Sequence, residues 1–175
     1  MDSARNALDR AVADRLIADG KLDAAAADRA FRLQANGQER LEQILTTLGL
    51  VHEKDVARAV AAELGLPLAA PADYPDAVVL DAASPKFLRQ ARVLPLAETA
   101  DSVIVAMADP LDLASIRSFE LLSGKTVLIR VAAPSDLDFA HFAPKGRNTM
   151  AVRRDPHCPA YSSIRLLQSG RLTLY

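Results

Sequence analysis

The stretch VAMADPLDLASIRSFELLSGKT, residues 105–126, passes from an apolar strand end through Asp-Pro into helical spacing and stops at Ser-Gly-Lys-Thr. That stop has two readings, the end of a phosphate-binding loop or the end of a helix. A phosphate-binding loop needs Gly, four residues, then Gly-Lys-Ser/Thr, with backbone N–H groups cradling phosphate where a helix begins. The first Gly would have to stand at position 119, which is Phe119. The order of elements is also reversed, because Gly124 closes a helical pattern and Thr126 opens a strand-like one. The stretch therefore reads as strand, a helix capped by Asp112, a stop at Gly124 with Lys125 near the negative helix end, and strand.

The flanking segments extend this into a small mixed unit. LGLPLAAP (64–71) is an extended connection, since Pro67 and Pro71 cannot continue a helix. SPKFLRQAR (84–92) opens a helix, with Ser84 as cap and Pro85 in the first turn. VLPLAE (93–98) and SVIVAMA (102–108) are strands around a turn at Thr99–Asp101. KTVLIRVA (125–132) is a third strand, and PSDLDFAHF (134–142) restarts a helix. This order predicts a three-stranded sheet with helices on one face.

Residues 1–65 are helical throughout. Leu8, Val12, Leu16 and Ile17, then Ala26, Ala30 and Leu33, recur at helical spacing, and so do Ile44, Leu45, Leu48, then Val56, Ala59, Val60, Leu64. Gly20, Gly37, Gly49 and Gly65 punctuate them, with Gly20 and Gly49 placed as left-handed helix stops. Asp23 and His52 or Glu53 open the helices that follow. Shifted by 29 residues, 11–34 lies over 40–63: Leu16 meets Leu45, Gly20 meets Gly49, Arg29 meets Arg58, and Ala30 meets Ala59. Apolar positions coincide too, Val12 with Leu41, Leu22 with Val51, Ala27 with Val56 and Phe31 with Val60. The pattern is that of two copies of one helix–turn–helix unit. One hairpin cannot bury its single apolar stripe; two packed together bury both, at about 25 cal/mol per Å². The expected fold is α+β: an all-helical pair of helix–turn–helix repeats (1–65), a small three-stranded sheet packed with helices (66–140), and an irregular basic tail or linker (141–175).

Bulk properties narrow the function classes. The chain has 175 residues, half of them hydrophobic, with no Trp and a single Cys, Cys158. One cysteine rules out an internal disulfide framework and fits a reducing compartment. A net charge of −1 gives no electrostatic case for nucleic acid or anionic lipid. The charge is uneven: residues 141–175 carry +5 and residues 1–140 carry −6. The charged start MDSARNALDR does not read as a secretory signal, and no apolar run approaches the roughly 20 residues of a membrane span. A cytoplasmic location is expected.

Residues 91–137, ARVLPLAETADSVIVAMADPLDLASIRSFELLSGKTVLIRVAAPSDL, resemble the N-terminal domain of the ATPases that drive type II secretion and type IV pilus assembly, a GspE/PulE-like family with an MshEN-like repeat. The most specific parts of the likeness are Ala-Met-Ala-Asp-Pro (106–110) and Leu64-Gly65-Leu66-Pro67, and residues 40–68 resemble the repeat that precedes it. The resemblance spans about residues 8 to 140 and implies a non-catalytic docking module. Such a module recruits the motor to the inner-membrane platform of a Gram-negative-type secretion system through the cytoplasmic domain of an inner-membrane assembly protein. It would lie peripherally at the membrane without insertion. In full-length relatives a hexameric ATPase domain follows. Residues 142–175 do not resemble that continuation, and no phosphate loop stands in the chain, so it is expected not to be an enzyme on its own.

The resemblance also implies an alternative, a cyclic di-GMP-binding regulatory module. In relatives that bind the dinucleotide each repeat starts Arg-Leu-Gly, where Arg meets guanine or phosphate and Gly admits close approach. Here the first copy starts Ala11-Val12-Ala13 and the second Arg40-Leu41-Glu42. Arg40 and Leu41 are the candidate ligand residues. The missing first Arg removes a charge-assisted contact of about 1.5–3 kcal/mol, and Glu42 places a carboxylate where the phosphodiester would pass. Otherwise Arg40 is a solvated helix-start residue. His52, His141 and His157 lack ligand spacing, and Cys158 has no evident base, so no metal, cofactor or catalytic residue is expected. Asp109 and Asp112 read as turn and cap residues. Arg29, Arg58, Arg89 and Arg117 read as solvated helix charges, with Arg89 and Arg92 beside Phe87 and Leu88 as one candidate docking patch.

Overall fold

The computed structural model describes residues 2–37, 39–75, 79–80, 83–142, 165–166 and 172–173. Four helices come first: α1 (Asp2–Ala18), α2 (Ala24–Asn36), α3 (Leu41–Thr47) and α4 (Glu53–Leu64). The mixed part follows with α5 (Pro85–Ala91), β1 (Val93–Glu98), β2 (Ser102–Met107), α6 (Leu113–Ser123), β3 (Thr126–Val131) and α7 (Pro134–Phe142).

The repeat is visible bond by bond. Gly20 and Gly49 both have φ of 66°. Around Gly20, the Lys21 and Leu22 N–H groups donate to the Leu16 carbonyl at 2.8 and 3.1 Å. Around Gly49, Leu50 and Val51 donate to Leu45 at 2.9 and 3.3 Å, the same closure 29 residues on. Each turn then delivers an extended residue, Asp23 or His52, as the cap position of the next helix. Gly37 departs from this rule, ending α2 in extended backbone at φ −123°. The helices pair across the copies, α1 on α4 and α2 on α3. Val12, Leu16, Ala30, Leu41, Leu45 and Val60 are buried in one shared core.

The sheet order is β1-β2-β3, with β1 and β2 antiparallel and β2 and β3 parallel through α6. Alternation along β2 divides two cores. Val103, Val105 and Met107 face Leu88, Ile116 and Phe119 of α5 and α6. Ile104 and Ala106 face Leu137 of α7, with Leu94, Leu96 and Tyr74 alongside. Helices thus cover both faces, not one as the element order suggested. Buried side chains on both faces of β2 are what a strand enclosed on two sides requires.

The extended connection also joins the sheet. Leu68 bridges Val131 in parallel, and the Ala69 N–H donates to the Val131 carbonyl at 2.8 Å. Val131 and Ala133 in turn lie in the core of the helical repeats, so β3 carries the contact between the two parts of the chain.

Ser-Gly-Lys-Thr is a helix stop. Gly124 is left-handed, and its N–H returns to the Glu120 carbonyl at 2.8 Å. Lys125 Nζ donates to Glu98 Oε1 at 2.8 Å and to the Thr99 carbonyl at 2.6 Å, fastening the β1–β2 turn. Asp112 and Ser84 cap α6 and α5 as the sequence predicts. Most of residues 141–175, with His157 and Cys158, lies outside the described residues. Within that span Arg165–Leu166 (β4) pairs antiparallel with Leu172–Thr173 (β5), a pairing no sequence period signalled.

Candidate functional site

Arg40 occupies the extended position ahead of α3 and begins that helix, as its place in the repeat implies. It is not merely solvated. Its Nη1 donates to Asp109 Oδ2 at 2.5 Å, with the Arg40 side chain 47% exposed and that of Asp109 15%. Asp109 also receives Arg5 Nη2 on both oxygens, at 3.0 and 2.8 Å. Its Oδ1 accepts the Leu111 N–H at 3.1 Å, which is the expected turn role. One carboxylate on the β2–α6 loop therefore gathers guanidiniums from α1 and from the cap position of α3.

Leu41 is 1% exposed and belongs to the repeat core. The structure thus separates the two candidate ligand residues, Arg40 being outward and ion-paired and Leu41 enclosed. In the first copy the equivalent Ala11-Val12-Ala13 lies inside α1. Helix α1 runs 17 residues where α3 runs 7, so the first copy has no helix start at that point.

Behind Arg40 the junction turns acidic. Asp9, 2% exposed, accepts from Gln34 Nε2 at 2.6 Å, tying α1 to α2. Glu42 lies where the first copy has the buried Ala13. Burial raises the Glu42 carboxyl above its ordinary value; Asp9 and Asp109 raise it further, while its own backbone N–H and Arg5 oppose them. The Arg5 guanidinium is held above its ordinary value by its bonds to Asp109, against the opposing effect of burial.

A second join lies on the other side. Glu53 Oε2 accepts the Ser135 N–H at 2.9 Å, and Lys54 Nζ reaches Asp136 at 3.4 Å. Between the repeat corners is an open cleft of about 550 Å³ lined by Gly20, Lys21, Gly49, His52 and Asp55, with Arg40 and Leu41 outside it. Among the described residues no group of three His, Cys, Asp or Glu could hold a metal ion, and no helix is long and apolar enough to cross a membrane.

Other sequence candidates resolve individually. Arg58 pairs with Asp55 at 2.6 Å. The proposed Phe87/Leu88 patch faces inward: Leu88 is 8% exposed, and Phe87 packs on Phe119 with ring centroids 5.8 Å apart. Arg5, Glu53 and the buried setting of Glu42 carry no local signal, because each depends on a partner distant in sequence or on packing.

The MshEN domain family matches residues 64–140. Over 131 residues, 71% of the chain, the sequence is 32% identical to type II secretion system protein E of Xanthomonas campestris pv. campestris, and the match spans 23% of that protein's length. The N-terminal domain of XpsE superposes with a TM-score of 0.64 at 26% identity, covering 77% of this chain and 93% of that one. A structure of MshE with cdg (cyclic di-GMP) superposes with a TM-score of 0.61 at 23% identity, covering 74% of this chain and 95% of that one, a likeness of fold alone.

Proposed function

Because this chain carries an MshEN domain and is similar to type II secretion system protein E, we propose that it is the non-catalytic docking module of a type II secretion ATPase. In this reading it recruits the motor to the inner-membrane platform by binding the cytoplasmic domain of an inner-membrane assembly protein. Similarity to protein E, 32% identity over 71% of the chain, is the observation that supports it. The chemistry is interface burial, an apolar centre with a polar rim. The helical repeats and the sheet joined through β3, Asp109 and Glu53 would present that surface as one piece.

The test is co-purification of the chain with the partner's cytoplasmic domain at low and at moderate salt. Capture at both supports docking, and an empty pull-down at both overturns it. ATP turnover by the chain alone should equal the blank.

A second reading, cyclic di-GMP binding, draws support from the fold shared with MshE. The residues weigh against it. Arg40 is engaged by Asp109, Leu41 is enclosed, and Glu42 puts a carboxylate beside them. A calorimetric titration discriminates: micromolar or tighter binding that Arg40→Ala abolishes would reverse the ranking.

A further inference from the structure

Two buried atoms at the Arg5–Asp109–Arg40 junction lack hydrogen-bond partners among the described residues, Arg5 Nη1 and Glu42 Oε2. They are complementary, since one is a cationic donor and the other a carboxyl acceptor. Buried polar atoms without partners each cost stability, so such a pair needs a reason. Arg5 directs Nη2 to both oxygens of Asp109 and leaves Nη1 unused. The charges that bear on Glu42 are Arg5 and Asp9 from α1 and Asp109 from the β2–α6 loop. Arg40 stands two positions earlier on its own segment, bound to Asp109, and α2 reaches the cluster through Gln34, which holds Asp9.

We propose that Glu42 is the proton-operated part of this junction. Neutral, it leaves Arg5 seated on Asp109. Ionised, its proton gone to solvent, its free Oε2 takes the free Nη1–H of Arg5 and turns the guanidinium toward α3. The hold of α1 on the β2–α6 loop then weakens, and Arg40 remains as the tie between the repeats and that loop. Asp9 is turned to α2, its Oδ2 held by Gln34. Burial places the change above the ordinary range of glutamate. The proposal does not depend on which partner the chain docks.

The test is a carboxyl-carbon NMR titration of the whole 175-residue chain from about pH 4 to about pH 8. Glu42 should titrate with a midpoint above the ordinary glutamate value. The Asp109 carboxyl and the Arg5 guanidinium signals should shift at that same midpoint. In Glu42→Gln both shifts at that midpoint should vanish. A Glu42 midpoint at or below the ordinary value overturns the proposal. So do Asp109 and Arg5 signals that ignore Glu42. If Glu42→Gln does not fold, the wild-type titration decides alone.

Discussion

Arg40 and Asp109 lie 69 positions apart in the chain, and the 2.5 Å bond between them joins the second repeat to the loop after β2. Asp109 serves three donors, the side chains of Arg40 and Arg5 and the Leu111 N–H. Asp109→Ala removes all three contacts and leaves the partly buried Arg5 unpaired. It should cost about 2 kcal/mol, within the usual effect of charged hydrogen bonds. Arg40→Ala should cost less than about 1 kcal/mol, because that side chain is half exposed and screened by solvent. Chemical denaturation of both variants checks the order, and an Arg40 effect equal to that of Asp109 would contradict it.

Glu42 makes stability depend on pH in a defined sense. Burial raises its folded-state carboxyl above the ordinary glutamate value. The stability linked to it is therefore complete below the unfolded value and is lost as pH rises through the folded one. At neutral pH Glu42→Gln should be more stable than wild type, and the gap should close on acidification. The difference between the two proteins is the quantity to measure, since it cancels the acid loss from other carboxylates. A gap that is flat with pH, or that widens in acid, would refute the assignment.

Gly20 and Gly49 should respond alike if the two repeats are physical copies. A Cβ added at either meets nothing within 4 Å, so the cost of substitution is purely conformational. At φ of 66° alanine should cost about 1 kcal/mol at each site. Asparagine should recover part of that loss, because it tolerates the left-handed region. Thermal unfolding of the four variants checks the match, and a large asymmetry between the sites would break the equivalence.

The parts of this fold that were legible in the sequence are those with local causes. Gly20 and Gly49 fix turns through their own backbone freedom, Ser84 and Asp112 cap the helices beside them, and the 29-residue period shows because both copies need one apolar stripe. What was not legible depends on distant partners. Nothing near PSDLDFAHF says that Leu137 packs on the face of β2 opposite α6. Nothing near Arg5 says that Asp109 will meet it, and Glu42 on a seven-residue helix looks solvated until α1 covers it. The candidate site is half visible for the same reason: the resemblance singles out Arg40 by its Arg-Leu start, while nothing local names its partner.

The Tyr74 Oη is buried without a hydrogen-bond partner among the described residues, and burial, with Asp136 and Asp73 nearby, pushes its pKa up to about 12. The ring packs beside Leu137 and Leu96. Tyr74→Phe keeps that packing and removes an unsatisfied polar group, so it should raise stability by about 1 kcal/mol. Loss of stability on this change would show that the hydroxyl has a partner in solution.

Glu53 joins the second repeat to the end of the sheet unit. It stands in the first turn of α4, yet its Oε2 accepts the Ser135 N–H, one of the donors that the start of α7 leaves free. The carboxylate acts as a cap supplied from another helix. Glu53→Ala should cost about 1 kcal/mol, the usual loss on removing a cap. The effect should also be local. Amide exchange at Ser135–Leu137 should accelerate, while the amides of β2, enclosed on both faces, keep their protection. Lys54→Ala, which removes only the exposed pair with Asp136, should leave exchange in α7 nearly unchanged. If Lys54→Ala loosens α7 as much as Glu53→Ala, the join depends on surface charge and the capping account fails.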